Sequence, residues 1–192
     1  EDEKVLIMTG GSSGHGLSEE FFDRLTTKIE SDGLKKFRIL VVTGKNKELF
    51  EKLRLSKNPH LLAFGFYERM LELYAVADVF AGKPGGLSTA EGLKHRLPMV
   101  ITSWLPGMEE LNVEFLTKKN LTLPIIPFGP EHDAKVIEQI SLELRTGEFK
   151  QKLLARNDEI KALANDDPTI ICRFIGKVLS QRFAETAVRQ QT

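Results

Sequence analysis

Val5-Leu6-Ile7-Met8-Thr9-Gly10-Gly11-Ser12-Ser13-Gly14-His15-Gly16-Leu17-Ser18 is the stretch on which the fold turns. Val5 to Met8 is a short apolar run that reads as a strand, and Gly10 to Gly16 is a glycine-rich loop. Ser18 stands where a helix N-cap is expected, because the apolar positions that follow it, Phe21, Phe22, Leu25 and Ile29, recur at helical spacing. Strand, glycine loop and helix start in that order open a βαβ unit, and βαβ units build a parallel sheet.

The same alternation continues along the chain. Phe37 to Thr43 reads as a second strand, Lys47 to Leu55 as a helix that ends before Pro59, and Leu61 to Phe66 as a third strand. A helix from Glu68 to about Ala75 follows, then a fourth strand from Asp78 to Ala81 and a helix from Ser88 to His95. Met99 to Thr102, after Pro98, is a fifth strand, followed by a loop containing Pro and Gly, a helix from about Glu109 and a last strand near Thr122 to Ile126. From Pro130 onward no strand is read; the pattern is helical, broken near Gly147 and at Asp167-Pro168, with Pro168 in the first turn of the last helix. The expected fold class is α/β, a Rossmann-like parallel sheet with flanking helices and a helical C-terminal third. At 192 residues the chain suits one such domain.

Composition narrows the function. Lys+Arg and Asp+Glu both number 27, so the long-range positive field that gathers a polyanion is missing and nucleic acid is not an expected partner. Apolar runs such as Ile39-Leu40-Val41-Val42 fall far short of the roughly 20 residues that cross a bilayer. The acidic start Glu1-Asp2-Glu3 does not read as a signal peptide, and Cys172, the only cysteine, cannot form an intrachain disulfide. A cytoplasmic location is expected. Cys172 itself lies amid apolar helix residues and reads as core packing. His60, His95 and His132 show no metal spacing and no Asp-x-Asp triplet occurs, so no metal site is expected.

Glycines between a strand and a helix let backbone N–H groups close on an anion that the helix N-terminus also attracts, so the first loop reads as a phosphate site. Gly11 and Gly16 have the Walker A interval, but Leu17-Ser18 follows where the phosphate-binding lysine belongs. The glycines run in the reverse order of the dinucleotide fingerprint, and Val42-Thr43-Gly44-Lys45 offers no acidic residue for a ribose, which speaks against NAD. A tight glycine turn without a ligand explains this loop alone equally well.

Gly82-Lys83-Pro84-Gly85-Gly86-Leu87-Ser88-Thr89-Ala90-Glu91 repeats the pattern, with glycines after a strand and small hydroxyl residues at a helix start. Ligands of open α/β sheets gather outside the carboxyl ends of the strands, so the two loops are expected to face one crevice. Glu91 is placed to accept from two adjacent hydroxyls, the pattern a ribose presents; its plainer reading is a solvated carboxylate paired with Lys94 or His95.

Lys83 to Glu91 resembles the donor motif of the monogalactosyldiacylglycerol synthase and processive diacylglycerol glucosyltransferase family, relatives of the peptidoglycan N-acetylglucosaminyl transferase, and the order of elements matches from about Val5 to Asn112. The resemblance implies the C-terminal, donor-binding half of a GT-B glycosyltransferase. It places Gly11, Ser12, Ser13 and Gly14 on the diphosphate of a UDP-sugar, Gly85, Gly86, Leu87 and Ser88 on the phosphates and ribose, and Glu91 on the ribose hydroxyls. Phe66 and Tyr67 would cup the uracil, although capping the core at a strand end is an equally physical role.

A third stretch, Leu105-Pro106-Gly107-Met108-Glu109-Glu110-Leu111-Asn112, resembles the family's Pro-Gly-Gln-Glu followed by Asn. Glu109 and Asn112 match as sugar contacts; otherwise they read as a helix start whose dipole is favoured by two carboxylates. Met108 replaces a glutamine that hydrogen-bonds the donor sugar, and a thioether cannot donate. His15 is a candidate for contacting a phosphate or the leaving group, or simply an exposed loop histidine.

The resemblance further implies inverting, metal-independent transfer of a hexose to a lipid acceptor such as diacylglycerol, with no cofactor beyond the UDP-sugar and at most peripheral membrane association. The general base and acceptor site are expected on an N-terminal domain that this chain does not contain, or on a separate subunit. Two other classes stand beside it: a UDP-sugar epimerase or hydrolase on the same fold, and a catalytically silent UDP-sugar-binding or interaction module, which Met108 favours.

Overall fold

The computed structural model describes residues 2–11 and 17–163. Ser12, Ser13, Gly14 and His15, the helix start read at Pro168, and Cys172 lie outside the described residues. The elements run β1 (Lys4–Thr9), α1 (Glu19–Ser31), β2 (Phe37–Val42), α2 (Lys47–Leu55), β3 (Leu61–Phe64), α3 (Met70–Val76), β4 (Val79–Gly82), α4 (Gly86–Lys94), β5 (Met99–Ile101), α5 (Glu110–Lys118), α6 (His132–Thr146), α7 (Glu148–Ala155) and α8 (Asn157–Leu163).

All strand pairings are parallel, in the order β3-β2-β1-β4-β5. The chain winds outward from β1 in one direction, then returns to build β4 and β5 on the other side. The direction therefore reverses between β1 and β4, which is where a parallel sheet opens a crevice at its carboxyl edge.

Strand alternation divides the core into two layers. Leu6, Met8, Ile39, Val41, Val79, Ala81 and Val100 point to one face, against Phe22, Leu25 and Ile29 of α1 and Val136, Ile140 and Leu144 of α6. Ile7, Leu40, Val42, Phe80, Met99 and Ile101 point to the other, against Leu73 and Tyr74 of α3, Leu93 of α4, Leu116 of α5, Leu153 of α7 and Ile160 of α8. Strands covered on both faces explain why their sequences read as continuous apolar runs rather than alternating ones. Each fully buried Leu, Ile or Phe of these layers contributes about 1.5–3 kcal/mol.

Three local outcomes bear on the site. β3 stops at Phe64, not Phe66, which leaves Gly65, Phe66 and Tyr67 in the loop at the carboxyl edge. α4 begins at Gly86, two residues ahead of the expected Ser88, so the second loop is only Lys83 to Gly85. The strand expected near Thr122 to Ile126 does not form. That segment follows β5 for one step only: Leu123 N donates to Met99 O at 3.0 Å and Thr122 Oγ1 donates to the same carbonyl at 2.6 Å. Pro124 then has no N–H with which to continue a ladder, and its carbonyl accepts from Gln139 Nε2 at 2.8 Å.

The helical last third ends its first helix at Gly147, whose left-handed φ of 62° stops α6 and starts α7. Buried Glu143 closes the turn, accepting from Phe149 N at 3.0 Å and Lys150 N at 2.9 Å. Among the described residues no helix is long and apolar enough to cross a membrane.

Candidate functional site

The crevice is set by how closely β1 and β4 approach. Thr9 and Gly82 are register partners, and a Cβ on Gly82 would lie 2.5 Å from Thr9 O, so only glycine fits. Beyond β1 the chain turns at Gly11, whose φ is 71° and whose N–H donates to Thr9 Oγ1 at 3.1 Å. Beyond β4, Lys83 runs alongside that turn, its Cε 3.9 Å from where a Gly11 Cβ would be.

Lys83 Nζ pairs with Glu109 Oε1 at 3.4 Å, and the two side chains are only 11% and 13% exposed. Glu109 Oε2 accepts from Leu105 N at 2.8 Å, and Asn112 Nδ2 donates to Pro84 O at 2.7 Å. The loop after β5 is thus latched onto the loop after β4. Glu109 and Asn112 direct their polar groups at this latch, while Met108 stands 76% exposed beside it. Lys83 was not singled out by sequence reasoning as a site residue. The available signal was its place directly ahead of Pro84-Gly85-Gly86, where an ammonium group meets the first loop.

On the β1 side of the latch lies a cavity of about 270 Å³. Thr9 and Gly11 form its β1 wall, Leu87, Ser88 and Glu91 of α4 line it, and Phe66 and Tyr67 line it from the loop after β3 with Met70 at the start of α3. Of the residues singled out in the sequence, the cavity brings together Gly11, Phe66, Tyr67, Leu87, Ser88 and Glu91. Gly85 and Gly86 lie at the start of α4, and Met108, Glu109 and Asn112 lie on the β5 side. Tyr67 is held by a tilted contact with Phe64 (ring centroids 5.2 Å apart) and donates through its hydroxyl to Glu72 at 3.2 Å. Phe66 is exposed, an apolar surface available to a flat ring.

The electrostatics favour an anion at α4. Its N-cap, Gly85, has no side chain to bond the first-turn N–H groups, and no acidic residue occupies that first turn. The helix therefore presents at the crevice N–H groups that no cap side chain bonds and the positive end of its dipole, with the Lys83-paired Glu109 carboxylate near Gly85. Deeper in the cavity, partial burial raises the Glu91 carboxyl above its ordinary value against the opposing pull of Lys94. Burial likewise pushes the Tyr74 hydroxyl up to about 12, with Ser88 opposing and the Glu91 charge adding to it. Among the described residues no group of three or more His, Cys, Asp or Glu side chains is placed to hold a metal ion.

A parallel sheet that reverses direction between two glycine loops, covered by helices on both faces, is the architecture of a Rossmann-like domain of GT-B glycosyltransferases. Solved structures agree: the chain superposes on WaaG, a glycosyltransferase involved in lipopolysaccharide biosynthesis, with a TM-score of 0.58 at 14% identity, covering 86% of this chain and 44% of that one. It superposes on Phytolacca americana UGT2, complexed with UDP-2fluoro-glucose and pterostilbene, with a TM-score of 0.55 at 18% identity, covering 93% and 41% respectively. At such identities the shared property is the fold.

The chain belongs to the glycosyltransferase family 28 C-terminal domain family, which it matches over residues 5–162. It is 24% identical over 188 residues to a processive diacylglycerol beta-glucosyltransferase of Bacillus cytotoxicus, a match that takes in 96% of this chain and 45% of that protein. The chain thus spans less than half the length of this relative. The family expected from Lys83 to Glu91 and the GT-B fold class are borne out.

Proposed function

We propose that the crevice binds a UDP-sugar and that the chain supplies the donor half of an inverting, metal-independent hexosyltransferase acting on a lipid acceptor such as diacylglycerol. The observation that carries this reading is the cavity at the β1/β4 reversal, lined by Leu87 and Ser88 of the uncapped start of α4, by Glu91 and by the exposed Phe66 ring, with the Lys83–Glu109 pair beside its Gly11 wall. The diphosphate sits between the Gly10-Gly11 turn and the N–H groups of Gly86, Leu87 and Ser88, with Ser12, Ser13 and Gly14 of the first loop completing the seat. Lys83 faces the same charge. Together these groups stabilise the negative charge that develops on the departing UDP, the task a divalent cation performs in other transferases. Glu91 accepts from the ribose hydroxyls and Phe66 and Tyr67 pack on the uracil. His15 is a candidate for contact with the leaving group.

The sugar points toward the β5 side, where Met108, Glu109 and Asn112 lie. The acceptor hydroxyl attacks the anomeric carbon as the UDP oxygen leaves, and a general base takes the hydroxyl proton. That base and the acceptor site are assigned to an N-terminal domain or separate subunit, in keeping with the length of the named relative. The lipid acceptor is inferred from that relative's name, and with it a peripheral, cytoplasmic-side association with membrane.

One observation favours a second reading, a catalytically silent UDP-sugar-binding module: Glu109 and Asn112 are engaged in the loop latch and Met108 cannot donate to a sugar. Calorimetric titration of the chain and of Glu91→Ala with UDP, UDP-glucose, UDP-galactose, UDP-N-acetylglucosamine and NADH, without metal, tests the donor reading. The expected result is saturable UDP binding, weakened about tenfold by the substitution. Absence of UDP binding, or equal binding of NADH, overturns it. Product analysis with diacylglycerol and the complementary half supplied separates the transferase from the silent module.

A further inference from the structure

Tyr74 carries a hydroxyl that the free protein does not use. Its ring is fixed by an edge-on contact with Phe80 of β4, centroids 5.6 Å apart at 72°, and lies over His95 at the end of α4, centroids 6.4 Å apart. The residue is 1% exposed. Its Oη reaches α4, where it approaches Ser88 without attaining hydrogen-bond geometry, and among the described residues no other group partners it. Phenylalanine would keep both ring contacts. A buried hydroxyl left unpaired is a cost that native structures ordinarily avoid, and the wall it stands on belongs to the cavity lined by Ser88 and Glu91.

The three groups are chemically complementary. Glu91, when ionised, can only accept, Ser88 donates or accepts, and the Tyr74 phenol donates. A vicinal diol offers two O–H donors and two acceptor oxygens. A carboxylate alone takes the donors and leaves the oxygens without a donor facing them. We propose that Tyr74 Oη donates to a hydroxyl oxygen of the ligand's nucleoside sugar, and that Tyr74 is therefore a specificity-determining residue for a ribonucleotide over its deoxy counterparts. The proposal rests on the donor reading above and adds a residue that reads the sugar of the nucleoside. A ligand lacking that oxygen leaves the phenol as unpaired in the complex as it is in the free protein, and a site so built discriminates against the analogue.

The test is calorimetric titration of the full 192-residue chain and of Tyr74→Phe with UDP, 2′-deoxy-UDP and 3′-deoxy-UDP, together with thermal unfolding of both proteins without ligand. Tyr74→Phe is expected to weaken UDP about tenfold while leaving the affinity of one of the two deoxy analogues unchanged, because the partner atom is already missing there. The unliganded variant is expected to melt at the same temperature as the parent or higher, since the substitution removes an unpaired polar atom and no contact. An equal loss for all three nucleotides, an unchanged UDP affinity, or a melting temperature several degrees lower assigns the hydroxyl a structural role or none and overturns the proposal. Failure of the parent chain to bind UDP overturns the donor reading instead, and is recognised before the variant is examined.

Discussion

α1 and α4 both follow a glycine loop at the carboxyl end of one of two neighbouring strands, yet they begin in opposite ways. At α1, Ser18 has extended backbone (φ −143°, ψ 154°), its hydroxyl accepts from Phe21 N at 3.2 Å, and Glu19 and Glu20 occupy the first turn. Its free N–H groups and its dipole are answered by its own side chains. At α4 the cap is Gly85, no side chain bonds the first turn, and no carboxylate stands in it. Two loops that look alike in composition therefore differ in what they leave for a ligand. The first contributes the backbone turn at Gly10-Gly11, and the second supplies the open helix end, with Lys83 beside it paired to Glu109.

The strongest way to break that contrast is to remove the cation that distinguishes the second loop. Lys83→Met leaves the Glu109 carboxylate largely buried without its partner, and is expected to lower unfolding free energy in urea by about 3 kcal/mol. Adding Glu109→Gln should recover part of the loss; unchanged stability in the single variant means that the pair does not hold the loops together.

A second route gives α4 the character of α1. The space around a Cβ at Gly86 is open, so Gly86→Asp fits and sets a carboxylate in the first turn. UDP affinity is expected to fall on the order of tenfold, with the fold retained by circular dichroism. If affinity holds, the anion lies elsewhere.

Exchanging the caps sharpens the comparison with smaller effects. Ser18→Ala should cost about 1 kcal/mol of stability and leave UDP affinity unchanged. Gly85→Ser places a Cβ 3.7 Å from Glu109 Oε1, an ordinary contact. It is expected to stabilise α4 by about 0.3 kcal/mol while weakening UDP a few-fold, as a hydroxyl competes for the first-turn N–H groups. Should both substitutions act alike on binding, the two helix starts are equivalent after all.

pH supplies the gentlest probe. Burial raises the Glu91 carboxyl above its ordinary 4.5 in the folded chain, so its protonated form favours folding. The stabilising contribution is complete below 4.5 and is lost as pH rises through the raised folded value. Binding has the reverse slope, because only the carboxylate accepts two hydroxyls: UDP affinity should climb across the same interval. Glu91→Gln should flatten both curves, and an unaltered affinity slope in that variant assigns the titration to another group.

How much of this was readable beforehand follows from the range of each interaction. The β1-loop-α1 unit, the Ser18 cap and the span of α2 rest on local spacing, and they appear in the structure where the spacing puts them. α4 starts two residues ahead of Ser88, and a helix capped by glycine carries no side-chain signal of its start. The strand near Thr122 was misread because Leu123, Ile125 and Ile126 suit a strand while Pro124 forbids the ladder. The Lys83–Glu109 pair joins loops from different βα units, and the unpaired Tyr74 hydroxyl depends on where α3 meets α4. Neither leaves a trace in local pattern. Phe66, read as the end of a strand, lies instead with Tyr67 in the loop after β3.

The short stretch at Thr122 and Leu123 has a consequence for how copies of the chain meet. Where it passes β5 it supplies two donors to Met99 O, and proline then closes the run. A strand arriving from another molecule finds the Met99 carbonyl of that border already engaged, and beyond it a residue that cannot extend the pairing. Growth of the sheet by stacking chain on chain is thereby checked on this side, so crowded or slowly refolding material has one fewer route into ordered aggregates.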